Sequence, residues 1–244
     1  MTDNGTGQQG QRNFSDHVFE IRYRPNAKIL DRRGEWAERL SENLQLPRWQ
    51  IASNRFDVWN EDTPEHRGFV SFSNSGYSLA NAPTANYFPD HVVKFFKLVL
   101  ALPDFPKPLY VIRIGVRQRF LTEFVGKFDE LVKRYAERYL CPTDKAMTVI
   151  GGKLLDLGGP MNFADSLGNF NTNCGPVPEE QAKTFFPDQE PEDGFPKVAL
   201  YYDIDYWLRP DKNVADNEIL KAIRSFSTEA WERHARICDL IIGK

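Results

Sequence analysis

At 244 residues and a formal charge of −3, the chain has material for one large domain or two small ones sharing a core. It is too close to neutral to hold nucleic acid by bulk electrostatics. Cys141, Cys174 and Cys238 are widely spaced and odd in number, which argues against a disulfide framework and for a reducing, cytoplasmic setting. The longest apolar stretch, Val92 to Leu102, is broken by Lys94 and Lys97 and is too short to span a bilayer.

Met1 to Asn13 is Gly/Gln/Asn-rich without an apolar run, so it reads as a disordered tail and not a signal peptide. From Val18 to Arg24 the residues alternate, with Phe19, Ile21 and Tyr23 on one face and Glu20, Arg22 and Arg24 on the other. This predicts a half-buried strand ended by Pro25. Asp31 opens a helix through Leu44 whose apolar seam is Trp36, Leu40 and Leu44. Three strands are predicted next: Trp49 to Trp59, Gly68 to Ser73 and Tyr77 to Ala82. A polar loop, Asn60 to Arg67, separates the first two, and Asn74-Ser75-Gly76 supplies a hairpin turn between the others. An apolar helix from Phe88 to Leu102, with Pro89 in its first turn and Pro103 at its end, completes the unit.

The pattern then repeats. Leu109 to Phe120 predicts a strand with Tyr110, Ile112, Ile114 and Val116 on one face and Arg113, Arg117 and Arg119 on the other. Phe124 to Leu140 is amphipathic. Met147 to Leu157 and Phe195 to Leu208 read as strands. The long Gly/Pro/Asn-rich loop between them, residues 158–194, holds a third near Phe163 to Thr172 and ends in an acidic run. A final helix runs from Asp216 to Ile242. Ile219, Ile223, Phe226, Ala230, Ile237 and Ile241 lie on its apolar side.

The expected fold is therefore α+β: a β-α-β-β-β-α unit duplicated over residues 14–104 and 105–244. The first strands of the two halves pair into one antiparallel sheet with helices on one side. The TATA-binding protein and GyrI-like proteins have broadly this shape, an analogy that does not carry function.

Two stretches, the opening F-E-I-R-Y-R-P (Phe19 to Pro25) and V-I-R-I-G-V-R-Q-R-F (Val111 to Phe120), carry a resemblance. The chain resembles a sporadically distributed bacterial family of proteins of similar length. That family has an E-x-R first strand, a central R-I-G-x-R strand and a long C-terminal helix. The resemblance implies no activity. The chain departs from the family pattern at Gln118, where an aromatic is usual, and at Arg119-Phe120, where Asn-Arg often stands.

Familiar chemistries are weakly represented. Gly151-Gly152-Lys153 lacks the earlier glycine and the Ser/Thr of a phosphate loop, and no G-x-G-x-x-G exists. The histidines His17, His66, His91 and His234 are scattered, with no pair at metal-ligand spacing, and C-x-x-C is absent, so neither a metal nor a cofactor is implied. Cys174 lies in a loop-like stretch without a base beside it, and Cys141 and Cys238 read as packing residues.

The distinctive motif is Tyr201-Tyr202-Asp203-Ile204-Asp205-Tyr206-Trp207. On a strand, Asp203 and Asp205 share a face with Tyr201 and Trp207. Two carboxylates at that spacing suit a divalent cation, a charge ladder with strand arginines, or a ligand surface.

The expectation is a non-enzymatic binding or regulatory protein. Its ligand or partner face comprises Arg22, Arg113, Arg117, Arg119, Tyr201, Asp203, Asp205 and Trp207, and it takes a small anionic ligand or a protein. One alternative is a metal-dependent enzyme acting on a phosphorylated or nucleotide substrate through Asp203 and Asp205. Another is a complex subunit in which the acidic loop from Glu179 to Asp193, which carries Phe185, Phe186 and prolines, is the docking segment; a homo-oligomer is a further alternative. Membrane partners are not expected, and net charge disfavours nucleic acid.

Overall fold

In the computed structural model, which describes residues 12–61, 65–150, 154–189 and 191–243, the opening alternation becomes strand β1 (Asn13–Tyr23). Its odd-numbered residues from Ser15 to Tyr23 are buried while the even-numbered ones stay partly open, because a period of two sends successive side chains to opposite faces. A single turn, α1 (Lys28–Asp31), leads into α2 (Arg33–Leu44), which buries Trp36, Ala37 and Leu40. That helix stops where Gln45 turns left-handed at φ 58° and donates its N–H back to the last turn. Four strands then meander: β2 (Arg48–Ile51), β3 (Arg55–Trp59), β4 (His66–Ser71) and β5 (Asn74–Ala80). The apolar helix α3 (Tyr87–Leu100) follows, with Val92, Phe95, Phe96 and Val99 buried.

The longest strand, β6 (Leu109–Glu123), opens the rest of the chain. After it come α4 (Phe128–Tyr135), a π-helical turn (Ala136–Leu140) and α5 (Asp144–Ile150). The hairpin β7 (Gly159–Ala164) and β8 (Asn169–Pro178) is followed by α6 (Glu179–Phe185), β9 (Val198–Leu208), β10 (Lys212–Val214) and α7 (Asp216–Ile241).

Ten strands form one antiparallel sheet in the order β2-β3-β4-β5-β1-β6-β9-β8-β7, with β10 paired to β6 beyond the end of β9. The central pair is β1 and β6, in register from Asn13 opposite Thr122 to Arg22 opposite Arg113. Outward from it lie β5, β4, β3 and β2 on one side and β9, β8 and β7 on the other. The main core is the inner face of this sheet, where Phe19, Val116 and Ile204 meet Phe96 of α3 and Phe226 of α7. The fold is thus α+β, built on a large antiparallel sheet.

Several elements differ from expectation. Asn13 already belongs to β1 and Arg12 bonds Glu123, so the ordered chain starts before the expected end of the tail; residues 1–11 lie outside the described residues. The stretch from Trp49 to Trp59 is a hairpin, because Ala52 donates to the Arg55 carbonyl at 2.8 Å and reverses the chain. In β6 a bulge opposite the Arg22/Tyr23 step inserts one residue. Leu109 and Val111 therefore face the core, and Ile112 is exposed instead of buried.

The helix read from Phe124 begins only at Phe128. Met147 starts no strand: Thr143 accepts the Ala146 N–H at 3.2 Å and helps start α5, and residues 154–158 carry no regular structure. Gly151-Gly152-Lys153 lies outside the described residues, as does Glu190. The stretch 158–194 holds the β7–β8 hairpin and α6 rather than one strand in a loop. Helix α6 packs on the sheet face opposite the other helices, so the helices are not all on one side. Its Ala182, with the following Phe186, forms a second small core with Leu121, Tyr201 and Phe195.

Candidate functional site: the open sheet face

The sheet face away from α2, α3 and α7 receives the polar alternates of every strand. Register sets Glu20 between Gly76 of β5 and Gly115 of β6, with Trp207 of β9 beyond Gly115. In the next row Ser78, Val18, Arg117, Asp205 and Asn171 lie side by side. The row after that holds Ala80, Asp16, Arg119, Asp203 and Asn173. Strands distant in sequence thus bring arginines of β6 against the aspartates of β9, while Arg22 of β1 pairs with Glu20 of its own strand.

The ion pairs run along diagonals. Arg117 stands opposite Asp205, yet its Nε and Nη2 donate to Asp203 at 2.9 and 2.6 Å. The Tyr201 hydroxyl adds a bond to the same carboxylate at 3.3 Å. Arg113 Nη2 donates to both oxygens of Asp205, at 3.0 and 2.9 Å. Gly115 permits this, since a Cβ there would come within 2.6 Å of Arg113 Nη1. The bare glycine lets the guanidinium lie against the sheet and reach the aspartate that stands opposite Arg117, four residues further along β6.

Glu20, Arg22, Arg113, Arg117 and Asp205 border a shallow hollow of about 280 Å³ with Val18 and Gly115 at its base. Arg22 pairs with Glu20 through Nε only. Arg113 uses Nη2, and Arg117 uses Nε and Nη2. The remaining guanidinium N–H groups of these three side chains have no protein partner among the described residues. Burial holds the Asp205 carboxyl above the usual carboxylate range, and Arg113 draws it only part of the way back. The hydrogen bonds to Asp203 raise the Arg117 guanidinium above its ordinary value, so it stays charged.

Six of the eight expected residues therefore converge: Arg22, Arg113, Arg117, Asp203, Asp205 and Trp207. The other two lie beside α6, away from this hollow, though Arg119 borders a second hollow of about 280 Å³ with Asp16, Ser78 and Phe186. Tyr201 is buried beneath Phe185, their rings stacked 4.1 Å apart, with Phe186 edge-on beside them. Arg119 turns away to Asp16 and to the Phe185 carbonyl, which it reaches at 2.8 Å. Both are taken up by α6, whose position on this face the sequence did not disclose. Within the acidic stretch expected as a docking segment, Phe186 is buried against the chain's own sheet.

Asp203 and Asp205 hold arginines in the ladder arrangement. Among the described residues no group of three His, Cys, Asp or Glu side chains is placed to hold a metal ion. Cys174 is in β8, not a loop; it faces the core, and burial pushes its thiol up. The histidine spacing in sequence hid one contact, since the rings of His66 and His91 lie 4.7 Å apart.

The sequence reading missed other residues on this face. Asn169, Asn171 and Asn173 continue its rows onto β8, and Asn162 of β7 pairs with Asn171. The alternation N-F-N-T-N was visible, but it lay in a stretch read as mostly loop. Asp57 of β3 pairs with Arg55 at 3.0 Å and Arg67 at 3.6 Å, a second charged cluster. Its signal was the period-two pattern Arg55, Asp57, Trp59.

No protein-family model matches the chain, and no curated protein matches it either. Among the described residues no helix is long and apolar enough to cross a membrane.

Proposed function

We propose that this is a non-enzymatic binding or regulatory protein whose open sheet face recognises an acidic group, carboxylate or phosphate, on a small ligand or a protein partner. The observation that carries this reading is the hollow over Gly115, where Arg22, Arg113 and Arg117 keep unused guanidinium N–H groups. A planar guanidinium fork matches carboxylate and phosphate oxygens, and the half-exposed Trp207 in the adjoining position offers an aromatic surface. Each arginine already has one carboxylate, so the face carries little net charge and binding rests on shape and directed hydrogen bonds rather than on long-range attraction.

The strand order outward from β1 and β6 supports a duplicated unit of the TATA-binding-protein or GyrI-like shape. In each half the first strand is central and the later strands follow in reverse order. Membership of the sporadic bacterial family remains part of this reading. Its unusual residue Gln118 lies outside the hollow, buried on the helix side opposite His17.

The test is native mass spectrometry of the chain purified from its own host, compared with an Arg117→Ala variant. A co-purifying acidic small molecule or protein is expected with the wild type. The variant should hold it about ten- to a hundredfold more weakly, the usual loss for a charge-assisted hydrogen bond. A folded Arg117→Ala protein that retains its partner as tightly as the wild type overturns the assignment.

A further inference from the structure

The largest of the described cavities lies on the other side of the sheet. It is a cleft of about 560 Å³ between the start of β1, the end of β6, the loop at residues 81–83 and the last turns of α7. That volume falls within the range of small-molecule sites. Its walls are aromatic at Phe120 and Trp231, with the hydroxyls of Ser15 and Thr122 and the Cys238 thiol among them; Phe14 also borders it, though its ring packs on Phe195 of the second core. No Asp, Glu, Lys or Arg lines it.

Its one titratable ring is His234, stacked on Phe120 with centroids 4.0 Å apart and 4° between planes. Burial lowers His234 to about 4, so the ring is neutral at pH 7, and burial also pushes the Cys238 thiol up. His234 Nε2 is approached by both Thr122 Oγ1 at 3.0 Å and Cys238 Sγ at 3.2 Å. A nucleophile–base pair needs its orienting group on the other ring nitrogen. Here both partners share one nitrogen and the pair stays uncharged, so this is a polar wall and not a nucleophile.

Behind the wall, His17 is fully buried. Its Nε2 lies 2.8 Å from Ser15 Oγ and its Nδ1 has no partner. A buried N–H without a partner is rarer than a buried acceptor without one, which assigns the His17 proton to Nε2. His17 then donates to Ser15, and the Ser15 hydroxyl keeps its own proton for the cleft.

We infer that this cleft is a second binding site, for an uncharged aromatic or heteroaromatic small molecule that stacks on its ring walls and accepts a hydrogen bond from Ser15. It is independent of the open face and of any ligand held there.

The experiment uses the full chain in a Cys141→Ser background, so that Cys238 is the accessible thiol; Cys174 is 1% exposed. Indole, adenine and benzamide serve as uncharged probes, and benzoate and benzylammonium as charged counterparts. Binding is read by saturation-transfer NMR and by slowing of Cys238 alkylation with N-ethylmaleimide. At least one uncharged ring is expected to bind below about 1 mM and to slow alkylation severalfold, with the charged pair at least about tenfold weaker. Ala235→Trp, which fills the cleft from an exposed helix position, should abolish both effects. If that variant melts early, Ser15→Ala takes its place and should weaken binding severalfold. The inference fails if no uncharged ring protects Cys238. It fails equally if charged and uncharged probes act alike, or if the folded variant binds as the parent does.

Discussion

Strand β1 belongs to two different environments. Phe19 and Ile21 point into a dry layer beneath α3 and α7, where Phe19 meets Phe96 edge-on at 4.7 Å. Their neighbours Val18, Glu20 and Arg22 border the hollow on the opposite face. The helix side is ordered by burial: apolar surface removed from water contributes about 25 cal/mol per Å², and titratable groups caught there are held neutral. The open side is ordered by ion pairs that remain partly in water, with the Arg117 side chain still 52% exposed. Such pairs are worth only about 0–1 kcal/mol each. One face can therefore carry the fold while the other keeps an ordered polar lattice on which stability hardly depends, and a surface of that kind is available for recognition. Helix α6 marks the boundary: where it covers the open face, Tyr201, Leu121 and Phe186 become a second core.

The sharpest test sets two adjacent residues against each other. Phe19→Ala should cost about 3–5 kcal/mol in denaturant unfolding, as expected for a fully buried aromatic ring. Val18→Ala, one residue away on the other face, should cost about 1 kcal/mol or less. Comparable losses would show that the open face carries the fold as well.

Next comes the pH dependence. Burial lowers His17 to about 3 and His66 and His234 to about 4. A base whose folded pKa lies below its unfolded value contributes full stability above about pH 6.5. That contribution declines as pH falls toward the folded value, because the unfolded chain takes up the proton first. At pH 5 each histidine held neutral costs about 2 kcal/mol relative to pH 7. His17→Phe keeps the aromatic layer with Phe88 and Trp231 and removes the titrating ring. Chemical denaturation at the two pH values should show a loss about 2 kcal/mol smaller in this variant than in the wild type. An unchanged slope would place the acid sensitivity elsewhere.

The smallest of these effects concerns the lattice itself. Gly115→Ala sets a methyl group where the Arg113 guanidinium now lies, and displaces it from Asp205. The loss should be about 1 kcal/mol, the upper end of what a partly exposed pair of this kind contributes. Gly159→Ala, with no atom within 4 Å of its added methyl, should stay within about 0.5 kcal/mol. Equal behaviour of the two variants would mean that Arg113 has another place to rest.

Legibility followed the range of the interactions. The strands at Val18 to Arg24 and Phe195 to Leu208, and the helices at Phe88 and Asp216, were readable because each is governed by a local period of side chains facing one core. The β6 bulge was not readable. Leu109, Val111, Ile114 and Val116 satisfy the core only after one residue is looped out, and that depends on where β1 lies. The Asn169 to Pro178 strand was hidden by its Asn, Gly and Pro, residues that avoid strands unless neighbouring strands hold them.

By itself the sequence determined the periods of β1, β6, β9, α3 and α7 and the face of β1, β6 and β9 on which arginines and aspartates would stand, since a side-chain period is written in adjacent residues. Only the tertiary structure decided which charges meet. Arg117 passes over the aspartate opposite it to take Asp203, and Arg113 lies over Gly115 to reach Asp205. Arg119 and Tyr201 are withdrawn under α6. Those choices depend on strand register, on one missing side chain and on a helix packed from elsewhere in the chain, and each is a relation between residues that a period cannot express.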